Sequence, residues 1–358
     1  MMALSLVENV GPINAKRLIA YCGSAEAVFK QKKSALELVP GVGEFIARSV
    51  LKSTPMSRVE QELKFIEKNN IHVFSYLDKD YPQRLKFAED GPIVLYGKGK
   101  MDLNVPRVVS IVGTRKPTDY GKEFTEKLVK ELVQCEVMVL SGLAYGIDIT
   151  AHRSALQNDL QTVAVVAHGM DDVYPGTHRS VLEKMMHNGG MLSEYMSDTN
   201  PDKENFPSRN RIVAGMSDAI IVIETALKGG SFITANLGND YNRDVFALPG
   251  RITDEYSVGC NRLIRSNRAA LMESPKDFIE AMGWQSSKKK KNVQPELFMD
   301  LDETEMKLIN LIKSKGNSGI DLLSVESGIT MSQLSALLLN LEFKGAVKSL
   351  PGKIYTLA

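Results

Sequence analysis

The chain contains no long hydrophobic run and few cysteines. No stretch approaches the roughly 18 consecutive apolar residues of a membrane-spanning helix, and the first residues do not form a signal-peptide pattern. Cys22, Cys135 and Cys260 lie far apart, without CxxC spacing, and the five histidines also lack ligand spacing. We therefore expect reduced thiols, no metal site and a cytoplasmic protein without membrane attachment.

Positively and negatively charged residues are nearly equal in number. The chain has 44 Lys and Arg against 43 Asp and Glu, a formal net charge of +1, so any surface that binds a polyanion must be a local patch. Its 358 residues, 43% of them hydrophobic, are enough for two or three domains with well-packed cores.

Residues 1–56 contain a weak internal repeat with a period of 32 residues. The segment Asn9–Ala15 aligns with Gly41–Ala47, and each copy has a turn, a glycine at a helix start and apolar residues at helical spacing. Asn tolerates positive φ better than most residues, so Asn9 fits the backbone position of Gly41. The repeat resembles paired helix-hairpin-helix (SAM-like) units. Either the glycine loops hold a DNA phosphate or the module is a small helical packing unit.

Residues 57–285 alternate between strands and helices in the α/β manner. Continuous apolar strands with helical crossovers predict a parallel sheet buried on both faces, an extended Rossmann-like fold whose ligand crevice lies at the carboxyl ends of the strands. Two further segments look like added edge strands. The predicted main strands are Val108–Val112, Val137–Leu140, Thr162–Ala167, Met191–Leu192, Ala219–Ile223 and Val245–Leu248, and the edge segments are Ile71–Tyr76 and Ile93–Tyr96.

The pattern changes after residue 285. Residues 286–295 include four consecutive lysines and predict a solvated linker, although such a run also attracts phosphate. Residues 296–358 predict three helices followed by two strands around Pro351-Gly352, which is a winged helix, with Thr330 a good N-cap for the third helix. A winged helix that binds DNA is usually basic, and basic residues do not dominate this unit. A structural or protein-contact role is therefore favoured.

Four segments should meet in the crevice of the sheet. Three are strand ends followed by small residues: Gly113-Thr114-Arg115, the turn of Ser141, Gly142 and Gly146, and the Gly229-Gly230-Ser231 turn. The fourth, Lys203–Arg211, combines cations and amides with one aromatic, Phe206. Backbone amides at a helix start bind anions, and an aromatic among cations offers a face for a base. Phosphate plus base indicates a nucleotide or a nucleic acid.

The usual nucleotide enzymes are not indicated. The first βα turn lacks GxGxxG, no acidic residue follows the second strand to hold a ribose, and no GxxxxGK[ST] is present. Asp148 and Glu224 fall near the crevice without an evident acid–base partner. A binding site with no catalytic residues and no cofactor is the simplest interpretation.

The motifs taken together resemble the DprA/Smf family (DNA-processing protein A) over about residues 81–271. They run Gly-Thr-Arg, Ser-Gly-Leu-Ala-x-Gly-Ile-Asp-x-x-Ala-His, Tyr174-Pro175, Ser193-Glu194-Tyr195, Asn-Phe-Pro-x-Arg-Asn-Arg-Ile, Gly-Ser-x-x-Thr-Ala and Val-Phe-Ala-Leu-Pro-Gly. The chain departs from the family pattern at His168-Gly169-Met170 and at Ser266-Asn267-Arg268. The resemblance implies a homodimeric single-stranded DNA-binding protein that protects incoming DNA during natural transformation and loads the RecA recombinase onto it.

The resemblance also implies roles for particular residues. Arg115 would contact phosphate, Lys203 and Arg211 would neutralise the DNA backbone, and Phe206 would stack a base. The remaining implied DNA-binding residues are Asn205, Arg209, Asn210, Gly229, Gly230, Ser231 and Thr234, and the further pocket residues are Gly113, Thr114, Ser141, Gly142 and Gly146.

Two other functions stay open from the residues. One is a Rossmann enzyme acting on nucleotides, similar to nucleotide phosphoribohydrolases, but Lys228-Gly229-Gly230-Ser231 lacks the Pro-Gly-Gly-x-Gly-Thr turn and following glutamate of those enzymes. The other is an interaction scaffold, in which Arg209 and Arg211 form structural ion pairs.

Overall fold

A nine-stranded sheet forms the centre of the computed structural model, which describes residues 1–53, 55–285 and 301–357. The strands lie in the order β1-β2-β6-β5-β4-β3-β7-β8-β9. Neighbours from β6 to β9 in this order pair in parallel, whereas β1 and β2 pair antiparallel at one edge. This confirms the predicted parallel sheet and its added edge strands. The strands are β1 (His72–Ser75), β2 (Val94–Lys98), β3 (Val108–Val112), β4 (Met138–Ser141), β5 (Thr162–Val165), β6 (Gly189–Ser193), β7 (Ala219–Val222), β8 (Asp244–Ala247) and β9 (Ala270–Leu271).

Helices cover both faces of the sheet because its strands are apolar on both sides. In β3, Val108 and Val112 pack into one layer while Val109 and Ile111 pack into the other, as the two-residue period of a strand requires. The helices up to residue 285 are α1 (Met2–Ser5), α2 (Pro12–Cys22), α3 (Ala25–Lys30), α4 (Lys33–Glu37), α5 (Glu44–Lys52), α6 (Met56–Asn69), α7 (Gln83–Lys86), α8 (Asp119–Leu132), α9 (Ile147–Gln157), α10 (Arg179–Met185), α11 (Asn205–Met216), α12 (Gly230–Asp240), α13 (Val258–Arg265) and α14 (Pro275–Ala281).

The N-terminal helices contain the predicted repeat. Asn9 and Gly41 both have positive φ, 64° and 79°, which confirms that they occupy equivalent backbone positions. Gly11 and Gly43 then cap α2 and α5 in the same extended conformation. The helices do not form an isolated core, because their apolar residues pack in one cluster with sheet residues such as Val94.

The C-terminal unit is a winged helix, as predicted. Its helices are α15 (Glu303–Lys315), α16 (Ile320–Ser327) and α17 (Met331–Phe343), and its strands are β10 (Ser318–Gly319), β11 (Val347–Leu350) and β12 (Ile354–Leu357). Thr330 does stand at the N-cap of α17, although its hydroxyl donates to the Gln333 side chain (2.8 Å). The predicted lysine-rich linker lies outside the described residues, and the domain boundaries stay predictions. Within the described ranges, no single helix is long and apolar enough to cross a membrane; α16 and α17 meet that criterion only as a pair bent by 111°.

Two polar contacts attach the winged helix to the main sheet. Arg243 Nη1 lies 3.1 Å from Asp321 Oδ2 in α16, and the amide of Gly352 in the wing donates to Asp244 Oδ2 at 2.8 Å. Arg243 and Asp244 lie at the amino end of β8. The winged helix therefore contacts the edge of the sheet at which the parallel strands begin.

The positive φ of Asn9 predicts how substitutions at this residue change the free energy of unfolding. Asn9→Gly should leave the free energy of unfolding unchanged or slightly higher, whereas Asn9→Ala should lower it by about 1 kcal/mol, because a Cβ without a compensating polar group disfavours the left-handed region. Urea unfolding of the full chain measures both. The exposed neighbour Glu8 has negative φ, so Glu8→Ala is the control. An Asn9→Ala variant as stable as the wild type would contradict the equivalence of the two hairpins.

Candidate nucleic-acid interface

A pocket of about 310 Å³ lies where the order of the parallel strands reverses. From β3 the chain continues through β4, β5 and β6 on one side, and through β7, β8 and β9 on the other. A gap between diverging loops forms at the carboxyl ends of strands on either side of such a switch. The lining residues follow β3, β4 and β7 or come from α9, α11, α12 and the loop after β8; they are Val112, Gly113, Thr114, Arg115, Gly142, Ala144, Asp148, Phe206, Arg209, Asn210, Val213, Thr225, Ala226, Gly229, Gly230, Ser231, Thr234 and Tyr256.

The turn that carries Arg115 is held by a close approach to Gly146. Gly146 has φ of +82°, and a Cβ there would overlap the Thr114 carbonyl and the Arg115 backbone. The amide of Ile147 donates to that carbonyl at 3.2 Å, and the amide of Thr114 donates to the Glu224 carbonyl at 2.7 Å. With its backbone fixed on both sides, Arg115 extends an exposed side chain over the pocket.

Phe206 lies under that guanidinium. Its ring is half-buried on the first turn of α11, with the Arg115 Cζ 5.4 Å and the Arg209 Cζ 6.0 Å from the ring centroid. Such a separation permits a cation–π contact. Of the three arginines predicted to converge at the crevice, the structure brings Arg115 and Arg209 to Phe206.

The start of α12 forms another wall. Gly229 is the N-cap and has no side chain to satisfy the first amides of the helix. Among the described residues, no acceptor contacts the N–H groups of Gly230 and Ser231. Asn210 and Thr234 both donate to the Gly230 carbonyl, at 3.3 and 3.1 Å, and so hold this turn. Unpaired amides at the positive end of a helix dipole are suited to an anion.

Arg209 lies in the floor of the pocket rather than at its surface. Only 5% of the residue is exposed, and Nη1 donates to the carbonyls of Gly142 (2.8 Å) and Val165. Asp148 offsets its charge nearby: Oδ2 accepts from the amides of Gly142 (3.2 Å) and Ala144 (3.4 Å). Burial raises the pKa of the Asp148 carboxyl, and the Arg209 guanidinium opposes that rise. Arg209 and Asp148 each bind the backbone of the turn after β4 and so fix it.

Arg211 is outside the pocket. Its guanidinium pairs with the Glu194 carboxylate and also donates to the Asp90 carbonyl, and 13% of its side chain is exposed. Burial raises the pKa of Glu194, which Arg211 counteracts. The structure therefore places Arg211 in the structural ion pair that was one of the alternatives from the sequence, and places Arg209 in a structural role without direct pairing.

Four other predicted residues also lie outside the lining. Lys203 is exposed just before α11, and Asn205 donates from Nδ2 to the Asn200 carbonyl (3.1 Å). Ser141 is buried and ties β4 to β3 through its bond to the Ile111 carbonyl (2.6 Å). Gly146 acts through its contact with the Arg115 turn.

Several lining residues were not predicted. Thr225 lies three residues after the end of β7, so its position near a strand end was a usable signal; its Oγ1 accepts from Ser231 Oγ at 2.8 Å. Tyr256 enters from the loop after β8, and no local pattern in the sequence indicates it. His168, the departure from the family pattern, lies away from the lining, where its Nδ1 is 2.8 Å from the Gly169 carbonyl.

Both acidic residues near the crevice have hydrogen-bond partners within the protein. Asp148 is engaged by the turn amides described above. Glu224 is buried, and its carboxylate accepts from the Thr118 amide (2.9 Å) and hydroxyl (2.5 Å).

Comparison with known proteins agrees with this architecture. Residues 72–283 match the family model described as DNA recombination-mediator protein A, and residues 299–353 match the DprA winged helix domain. The chain is 32% identical to Protein Smf from Synechocystis sp. over 99% of this chain and 97% of that protein.

Two solved structures are also similar. The X-ray structure of DNA processing protein A from Streptococcus pneumoniae gives a TM-score of 0.66 at 31% identity and covers 77% of this chain and 94% of that one. A DNA processing protein A from Helicobacter pylori, whose structure is described as showing a unique single-stranded DNA binding mode, gives 0.54 at 33% identity and covers 59% and 94%. With the family model spanning more than half of the sequence, this chain belongs to the DprA/Smf family of DNA-processing proteins.

Proposed function

We propose that the pocket at the strand switch binds single-stranded DNA, and that the chain acts as a recombination mediator in natural transformation. The observation that carries the proposal is the exposed guanidinium of Arg115, held over the ring of Phe206 at a pocket with unpaired helix-start amides. The cation and amides suit a phosphate, and the ring suits a base. In a duplex the bases are paired and stacked on one another, so they cannot reach the ring of Phe206 in the pocket. The bases of a single strand can.

The predicted residues have different roles under this proposal. Those at the pocket surface contact DNA: Arg115, Phe206 and the turn of Gly229, Gly230 and Ser231, with Gly113, Thr114 and Gly142 lining the recess. Asn210 and Thr234 are largely buried and support that turn through the Gly230 carbonyl. Lys203 is exposed two residues before α11 and adds charge to the approaching strand. Asn205 anchors the start of the same helix. Arg209, Arg211, Ser141 and Gly146 are positioning residues.

We propose that the pocket binds DNA and does not catalyse a reaction. Asp148 in the lining and Glu224 near it accept hydrogen bonds from backbone and hydroxyl donors, which leaves no evident acid–base pair facing the pocket among the described residues. This argues against the alternative of a nucleotide-hydrolysing Rossmann enzyme.

The partners follow from the family. The Helicobacter pylori relative is described by its single-stranded DNA binding mode, and the matching family model is that of a recombination mediator. We propose that this chain acts as a homodimer in the cytoplasm, protects incoming single strands and loads RecA onto them.

The first test is the choice between single and double strands. We expect oligo-dT to bind more tightly than a duplex of the same length, with log affinity falling linearly with log salt by about 0.7 per phosphate neutralised. Fluorescence anisotropy across a salt series measures both quantities, with a mononucleotide as the control ligand. Equal affinity for duplex and single strand at moderate salt would argue against the proposal, and preference for the mononucleotide would favour an enzyme.

The second test distinguishes Arg115, proposed to contact DNA, from Arg209, proposed to support the floor of the pocket. Arg115→Ala should weaken oligo-dT binding about tenfold or more, since a charge-assisted hydrogen bond contributes roughly 1.5–3 kcal/mol, and should leave the melting temperature unchanged. Arg153→Ala, at an exposed arginine outside the pocket lining, is the matched control.

Arg209→Ala should behave differently from Arg115→Ala. It removes both carbonyl contacts and leaves buried Asp148 uncompensated, so the free energy of unfolding should fall by about 3 kcal/mol. If Arg115→Ala lowers the melting temperature as much as Arg209→Ala does, Arg115 is a structural residue and its assignment is wrong.

The third test distinguishes stacking from charge. Stacking contributes roughly 1–3 kcal/mol per base and depends weakly on ions, so Phe206→Ala should lower affinity with little change in the salt slope. Lys203→Ala should make the slope shallower by about one contact. Melting temperatures are measured in parallel. A Phe206→Ala variant that loses several degrees of melting temperature and binds DNA in proportion would identify Phe206 as a core anchor instead.

A further inference from the structure

Two exposed tyrosines lie next to residues of the pocket, one in space and one in sequence. Tyr174 is 43% exposed, and its ring centroid lies 6.2 Å from that of Phe206 with an interplanar angle of 59°. Tyr145 is 47% exposed and lies between Ala144, which lines the pocket, and Gly146, which packs on the Arg115 turn. Leaving nearly half of an aromatic residue in water forfeits burial that would stabilise the fold.

The ring of Tyr145 is held in place from behind. It packs edge-on against His178 (4.9 Å, 70°), and its hydroxyl lies 3.3 Å from Thr177 Oγ1. His178 in turn is fixed by the bond between its Nδ1 and the Leu143 carbonyl (2.8 Å). A ring supported on one side and open on the other is preorganised for a planar ligand, because little side-chain entropy is lost on binding.

The same loop carries the support for Tyr145 and the ring of Tyr174. Thr177 and His178 belong to a short 3₁₀ helix that begins two residues after Tyr174. One short segment of the chain therefore carries both the ring that contacts Phe206 and the residues that support Tyr145.

The spacing of the rings indicates how bases would use them. A base inserted between two rings needs about 7 Å, twice a contact of roughly 3.5 Å, and Phe206 and Tyr174 are closer than that and tilted. Each ring therefore offers its own outer face, and successive bases would stack one to a ring. Two exposed cations are close in sequence: Lys116 follows Arg115, and Arg179 follows the 3₁₀ helix and lies 3.8 Å from Asp172.

We propose that Tyr174 and Tyr145 form a stacking track for the bases of a single strand that leaves the pocket at Phe206. The inference rests on the proposed function of the pocket and assigns it a longer, several-nucleotide footprint. Base–aromatic stacking tolerates any sequence, so the track adds affinity and length dependence without base preference.

The test measures affinity against oligonucleotide length in the full-length chain. Wild-type protein should bind oligo-dT of about 16 nucleotides more tightly than one of about 4. Tyr174→Ala and Tyr145→Ala should each lose about tenfold on the long oligonucleotide, little on the short one, and nothing in salt slope. Tyr174→Phe and Tyr145→Phe keep the ring and should bind as the wild type. Tyr21→Ala, at a 53% exposed tyrosine of the N-terminal helices, is the matched control.

A second measurement separates stacking from folding. With wild-type protein, replacing the outer bases of the long oligonucleotide by abasic sites should reproduce the loss seen in the alanine variants. Full affinity of both alanine variants for the long strand, equal losses in the phenylalanine variants, or indifference to abasic sites would each overturn the track. A wild-type chain that does not bind oligo-dT, or an Arg115→Ala variant that binds normally, would overturn the proposed function as well.

Discussion

The pocket depends on the buried guanidinium of Arg209. From helix α11 it donates to the carbonyls of Gly142 and Val165, which belong to the chain at the ends of two neighbouring strands. Burying a charge costs several kcal/mol unless hydrogen bonds and an opposite charge offset the loss of water. Asp148 supplies that opposite charge and at the same time binds the amides of the turn that contains Gly142. The helix that carries Phe206 is thereby fixed to the strand ends that carry the other pocket walls.

This arrangement explains how a nearly neutral chain could hold a polyanion. The surface of the pocket presents the exposed guanidinium of Arg115 together with amide dipoles at Gly230 and Ser231. Dipoles and an aromatic face contribute binding free energy without adding net charge, and they act only at close range. We therefore expect affinity to depend on stacking as much as on electrostatics.

Much of the site could be predicted from the sequence because strand ends and glycine turns are local features. Apolar runs located the strands, and the glycines after them located the crevice. The orientation of the arginines could not be predicted from the composition of residues 203–211, because it depends on the helix that begins at Asn205. Phe206, Arg209, Asn210 and Val213 are spaced i, i+3, i+4 and i+7, and in α11 all four face the pocket, whereas Arg211 points away. Even with the helix known, the depth of Arg209 follows only from tertiary packing.

Other misses have equally specific causes. Strand β9 has two residues, too few to show a period, and Tyr256 reaches the pocket from a distant loop. By contrast, Asn9 was predictable because the repeat supplied a comparison: Gly41 occupies the same position one period later, and few other residues adopt positive φ at low cost.

The direction of the strands also separates the winged helix from the pocket. Parallel strands place all their carboxyl ends at one edge of the sheet and all their amino ends at the other. The pocket residues follow the carboxyl ends of β3, β4 and β7, while the winged helix is attached through Arg243 and Asp244 at the amino end of β8. At about 3.3 Å per residue, a strand of 4 residues puts roughly 13 Å of buried sheet between the two edges. Among the described residues, these two polar contacts of the winged helix therefore lie at the edge of the sheet opposite the pocket.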